Sequence, residues 1–113
     1  MDKVSDYKKI VSEFVSHVAS ISPSDDHVET QLIIDDAHGH YVLFSVGWEN
    51  TYREYAPFVH IDVKKDGKVW IQHDGTDLKI ALLLAEKGIE KKDIVIGFRH
   101  IQQRQYLTEF AIS

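Results

Sequence analysis

The sequence predicts an α+β fold: a four-stranded antiparallel meander with one helix before it, a second buried helix after the fourth strand, and a short C-terminal extended segment. Three observations lead there. Apolar residues recur at helical spacing near the N-terminus, the pattern changes to alternation at Val28, and an almost wholly apolar run follows the turn-rich "HDGTD". At 113 residues the chain has the size of one compact domain, 1–113, because two independent cores would each be too small to hold together.

The first helix is expected from about Asp2 to Ala19, where Val4, Tyr7, Val11, Phe14, Val15 and Val18 fit a helical stripe and Glu13 and His17 spoil strand alternation. "SPSDD" ends it, since Pro23 and its short polar neighbours favour turns. The first strand starts at Val28, with Val28, Thr30, Leu32 and Ile34 on one side and Glu29, Gln31 and Asp35 on the other. "DDAHGH" is read as turn chemistry. Tyr41 to Trp48 forms the second strand, with bulk on both faces, so its second face should not look into open water.

Glu49, Asn50 and Thr51 turn the chain into a long third strand, roughly Tyr52 to Lys64. Pro57 offers no ladder donor, which calls for a bulge there or a fourth strand too short to reach it. The next turn decides the register. A three-residue Lys65-Asp66-Gly67 loop, with Gly67 at positive φ, pairs Val63 with Val69, Ile61 with Ile71 and Val59 with His73. It gathers the aliphatic residues on one face, whereas a two-residue loop would misplace Val69 and Ile71 at a cost of about 1.5–3 kcal/mol each. The three-residue loop is therefore expected.

This register leaves His60 and Asp62 on one face and His73 on the other, so the three do not close on one ion. A His-x-Asp pair with Gln72 across from it has too few ligands for zinc, and no metal or other cofactor is expected. Thr76 or Asp74 is read as capping a helix from Asp77 to Lys87 whose apolar residues run almost all round, so that it should be largely buried. Gly88 followed by Ile89 reads as its Schellman-type stop. Ile94 to Phe98 suits a buried strand or extended segment, and Tyr106, Phe110 and Ile112 offer a tail that docks across the body.

Composition narrows the function. Hydrophobic residues are 43% and charged residues 27% of the chain, an ordinary soluble balance. The longest apolar run, Ile80 to Ala85, is too short to cross a bilayer, and the polar "MDKVSDYKKI" argues against a secretory signal, so a cytoplasmic protein is expected, without membrane contact. The absence of cysteine removes disulfides, thiolate zinc sites and a cysteine nucleophile. A net charge of −5 repels phosphate, so direct DNA binding by the protein alone is not expected.

The segments "LFSVGWEN", "VHIDVKKDGKVWIQHDGTD" and "GIEKKDIVIGF", with the ending "FAIS", resemble the XisI family, the controlling factors for excision of the fdxN element in cyanobacteria. The positions that carry the resemblance are Gly47, Trp48, Arg53, Tyr55, His60, Asp62, Gly67, Trp70, Gln72, Asp74, Gly75 and Thr76. Family members tend to carry prolines before the last arginine, where this chain reads "RHIQQRQYL". The resemblance implies a regulatory role beside a XisH-like protein in controlling a site-specific recombinase, and it brings no catalytic residues.

The expected function is therefore a non-enzymatic controlling factor. Its candidate partner-contact residues are Trp48, Arg53, Phe58, His60, Asp62, Trp70 and Gln72, and its second sheet face also makes a homodimer reasonable. Two alternatives stand beside this. A small hydrolase would use His60 with Asp62 or His73 with Asp74, but no nucleophile is recognisably spaced to either pair. An accessory DNA-contacting subunit would use Lys64, Lys65, Lys68, Lys91, Lys92, Arg99 and Arg104 within a complex.

Overall fold

A computed structural model describes residues 2–113. Its elements run α1 (Lys3–Ile21), β1 (Val28–Asp35), β2 (His40–Glu49), β3 (Tyr52–Val63), β4 (Val69–Asp74), α2 (Ile80–Glu86), a 3₁₀ turn at Lys91–Asp93, β5 (Ile94–Ile96) and α3 (Ile101–Arg104). The sheet has five strands in the order β1-β2-β3-β4-β5, antiparallel through β4, with β5 parallel to β4. The expected four-stranded meander is thus extended by one strand. Three residues, Ile94 to Ile96, suffice because α2 carries the chain back to run alongside β4, and all three are buried.

Helix α1 begins where Asp2 accepts from the Ser5 N–H at 2.8 Å, a side-chain cap on an otherwise free donor. Tyr7, Val11, Phe14, Val15 and Val18 form its buried stripe. They pack onto one sheet face made by Tyr41, Leu43, Val59, Ile61, Val63, Val69 and Ile71, which closes one core with Ile80, Leu84, Ile89, Ile94 and Ile96. β1 is the outer strand, so Leu32 and Ile34 share the core side with Leu43 and Tyr41 yet remain 38% and 36% exposed. No helix among the described residues is long and apolar enough to cross a membrane.

The β3–β4 turn has the expected three-residue form: Gly67 sits at φ +89, its N–H donates to the Lys64 carbonyl, and Lys64 N–H donates to the Lys68 carbonyl. Val63 pairs with Val69 and Ile61 with Ile71 as the aliphatic pattern requires. Beyond them the ladder slips. His60 pairs with His73 and Val59 with Asp74, so β4 carries one extra residue, Gln72, and the expected Val59–His73 pair is not formed.

At Pro57 both anticipated solutions operate. Leu43 pairs with Val59 but Phe44 with Pro57, which makes Phe58 an extra residue in β3, and β4 ends at Asp74 before it reaches the proline.

Helix α2 departs from expectation at its start and in its burial. Asp74 Oδ1 accepts from the Thr76 N–H at 2.9 Å and its hydroxyl at 2.6 Å, and Thr76 Oγ1 accepts from Leu78 N–H at 3.2 Å. These bonds hold "DGTD" as a loop, Lys79 takes a left-handed φ of 56, and helix begins only at Ile80, whose N–H reaches Asp74 Oδ2 at 3.3 Å. Only Ile80 and Leu84 are buried, with Ala81, Leu83 and Ala85 partly so, while Leu82 is 42% exposed, because the helix packs on the core with one side and turns the other outward. Its end is as read: Ile89 N–H donates to Leu84 O and Gly88 N–H to Ala85 O, the two bonds of a Schellman motif, with Gly88 at φ +117.

The tail is not simply extended. It forms the short α3, then docks as Ala111 N–H donates to Ile94 O at 2.9 Å. Leu107 and Phe110 pack on the core, whereas Tyr106 and Ile112 stay exposed.

Candidate functional site

Alternation along the strands sends His40, Val42, Phe44, Val46 and Trp48 of β2 to the face opposite α1. The register sets His40 beside Asp62, Val42 beside His60 and Asp62 beside Trp70, so these side chains share that open face. At its centre lies Asp62, 5% exposed, one of two buried carboxylates among the described residues. His40 Nδ1 lies 2.7 Å and His60 Nε2 2.9 Å from Asp62 Oδ1, and Gln72 Nε2 donates to Oδ2 at 3.1 Å. The Lys64 ammonium stands farther off, at 3.8 Å.

Burial works against ionisation of Asp62, but the hydrogen bonds from His40 and Gln72, together with His60, outweigh it and hold the carboxyl below its usual range. An ionised Asp62 accepts only, so each imidazole turns a donor toward it: Nδ1–H on His40 and Nε2–H on His60. The two rings meet edge to face with centroids 6.5 Å apart.

The sequence reading set His60, Asp62, Gln72 and Trp70 side by side, and the structure brings them together. His40 lies in "DDAHGH", which reads as turn chemistry in the sequence, and the structure adds it to this face as a third candidate ligand. The premise that this face has too few ligands for an ion is therefore corrected: His40, His60 and Asp62 each offer an atom within 4.8 Å of the others. His73 stays outside, with its Nε2 beside Gly75, and Asp74 is engaged in the loop before α2.

The same face ends in an aromatic cluster. Trp48 pairs with Arg53 across β2 and β3, and the Arg53 guanidinium lies 5.4 Å from the ring centres of both Trp48 and Tyr55. Trp48 and Tyr55 are 54% and 64% exposed. Phe58 does not join them: as the extra residue of the β3 bulge it packs against the core. Trp70 is covered in part by the Arg104 guanidinium at 5.1 Å, which α3 holds there through bonds to the Arg99 and Ile112 carbonyls.

The basic residues weighed for DNA contact are mostly engaged locally. Lys91 pairs with Glu109 at 3.2 Å, Lys92 with Glu90 at 3.1 Å, and Arg99 stacks on Phe98.

The helix-backed mixed sheet, with a His-Asp-His group and an arginine-aromatic cluster on its open face, makes the chain a small α+β protein. The model of the XisI protein family matches residues 1–112, and the chain belongs to that family. A crystal structure of a XisI-like protein from Anabaena variabilis is 36% identical, with a TM-score of 0.91 over 97% of this chain and 99% of that one. A structure of the fdxN element excision controlling factor XisI from the same organism is 34% identical, with a TM-score of 0.87 over 99% and 100% of the two chains. No curated protein matches the chain.

Proposed function

We propose that the protein is a non-enzymatic controlling factor that acts beside a XisH-like partner to regulate site-specific excision of a DNA element of the fdxN type. The observation that carries this reading is the exposed Trp48-Arg53-Tyr55 cluster on the sheet face opposite α1. Aromatic and arginine side chains of this kind supply most of the energy in protein interfaces. A net charge of −5 favours a protein partner over a bare duplex. The role itself is carried by similarity to the excision controlling factor that matches along the whole length.

Co-expression with the XisH-like partner, followed by gel filtration, tests the reading. A co-eluting complex that Trp48→Ala disrupts supports it. Two separate monodisperse species would sink it, and a shift of DNA by this protein alone would contradict the charge argument.

A further inference from the structure

We infer that His40, His60 and Asp62 form a binding site for one divalent transition ion of the zinc class, set on the open face of the sheet. His40 Nδ1, His60 Nε2 and the Asp62 carboxylate lie within 4.8 Å of one another, the one such group among the described residues. Both nitrogens aim at a single oxygen, at 2.7 and 2.9 Å. Ligands about 2.0–2.2 Å from a tetrahedral ion stand roughly 3.4 Å apart, so the two nitrogen–oxygen distances need open by only about half an ångström. On binding, each imidazole frees the nitrogen it turns toward Asp62, its proton passing to the other ring nitrogen or to solvent. Two imidazoles with one carboxylate then suit zinc, cobalt or nickel and leave a position for water.

The surroundings are those of a built site. His40 is on β2 and His60 and Asp62 are on β3, so neighbouring paired strands hold all three ligands. Gln72 donates to Asp62 Oδ2, the oxygen that faces neither imidazole, and orients the carboxylate as an outer-sphere group does. The histidine side chains are 50% and 36% exposed, which opens the fourth position to solvent, while Asp62 is nearly closed off. A buried carboxylate flanked by two imidazoles gains its counter-charge directly from a cation. The nearest fixed cation, Lys64, is 3.8 Å away on a half-exposed side chain and can swing aside.

Calorimetric titration of the untagged, chelator-treated full chain with zinc chloride, and absorbance titration with cobalt chloride, test the site. One equivalent should bind, and cobalt should give the intense visible bands of tetrahedral coordination. His40→Ala and His60→Ala should each weaken binding by more than about a hundredfold, above the usual outer-sphere effect, and Gln72→Ala by about tenfold. His17→Ala, on the exposed side of α1, should leave it unchanged. Circular dichroism of each metal-free variant checks the fold, and His40→Gln or His60→Gln replaces the corresponding alanine variant if it fails. No saturable binding of one equivalent, or binding retained in both His40→Ala and His60→Ala, would overturn the inference.

Discussion

The Tyr7 hydroxyl donates to Asp93 Oδ2 at 2.6 Å, joining α1 to the turn before β5 across 86 residues of chain. Tyr7 is 4% exposed and Asp93 4%. The same hydroxyl accepts from Glu90 N–H at 3.3 Å, and the Lys3 ammonium lies 3.3 Å from Asp93. The bond fastens the first helix to the turn that leads into the last strand, adding a directional contact to apolar packing that has none.

Tyr7→Phe should destabilise the protein by roughly 1–3 kcal/mol, because Asp93 loses a partner in a buried site. Burial, followed by the bond to Asp93, raises the Tyr7 pKa from 10.0 to about 12. A group whose folded pKa is raised contributes stability in full below its unfolded pKa and loses it as pH climbs to the folded one. Urea unfolding should therefore show the wild type weakening between about pH 10 and 12 more steeply than Tyr7→Phe. Parallel curves for the two proteins would refute the link.

Gly39 stands at φ +75 in the β1–β2 turn, and a Cβ there would fall on the Val63 carbonyl oxygen. Its own carbonyl accepts from Val63 N–H at 2.8 Å. Gly39→Ala thus meets both a strained backbone and a clash, and should cost more than about 1 kcal/mol in thermal unfolding. Because His40 follows directly, its imidazole should also move from Asp62. An unchanged His40 proton resonance in that variant would argue against this coupling.

How much of the open face was legible depended on two single-residue irregularities. Counted back from the Glu49–Tyr52 pair, an unbroken ladder would set His40 opposite Ile61, on the core side. Phe58, the extra residue beside Pro57, shifts the count by one and brings His40 beside Asp62 instead. Pro57 called for a bulge there or a short fourth strand, and the count turns on which, so His40 could not be assigned a face from sequence. The β3–β4 hairpin was readable as far as Ile61 because aliphatic residues fix register there. The slip at Gln72 lies among polar residues, where nothing apolar is lost by moving.

The α2 segment was misread for a related reason. An apolar run is consistent with burial on every side, yet burial is decided by what lies opposite, and here α1 and β4 lie against one side of the helix. Leu84→Ala should therefore cost about 2–5 kcal/mol as a cavity mutation. Leu82→Ser, at a 42% exposed position two residues earlier, should change stability by no more than about 0.5 kcal/mol. Equal losses in chemical denaturation would mean that the outer side of the helix is covered after all.

The Trp48-Arg53-Tyr55 cluster gives the sharpest functional prediction, since its residues contribute little to the core and much to an exposed surface. Glu49 pairs with Tyr52 across Asn50 and Thr51, and Asn50 takes the left-handed φ of 57 that this tight turn needs. The hairpin thus stays formed when its side chains are trimmed. Trp48→Ala and Arg53→Ala should each leave the unfolding midpoint close to wild type, within about 0.5 kcal/mol. Each should weaken association with the proposed XisH-like partner by at least roughly tenfold, the threshold of an energetically important contact. Arg53→Lys separates stacking from charge: a planar guanidinium lies over both rings, and an ammonium cannot reproduce that contact, so the lysine variant should bind about as poorly as alanine. Full binding by Arg53→Lys would show that charge alone matters there, and full binding by all three variants would move the interface elsewhere.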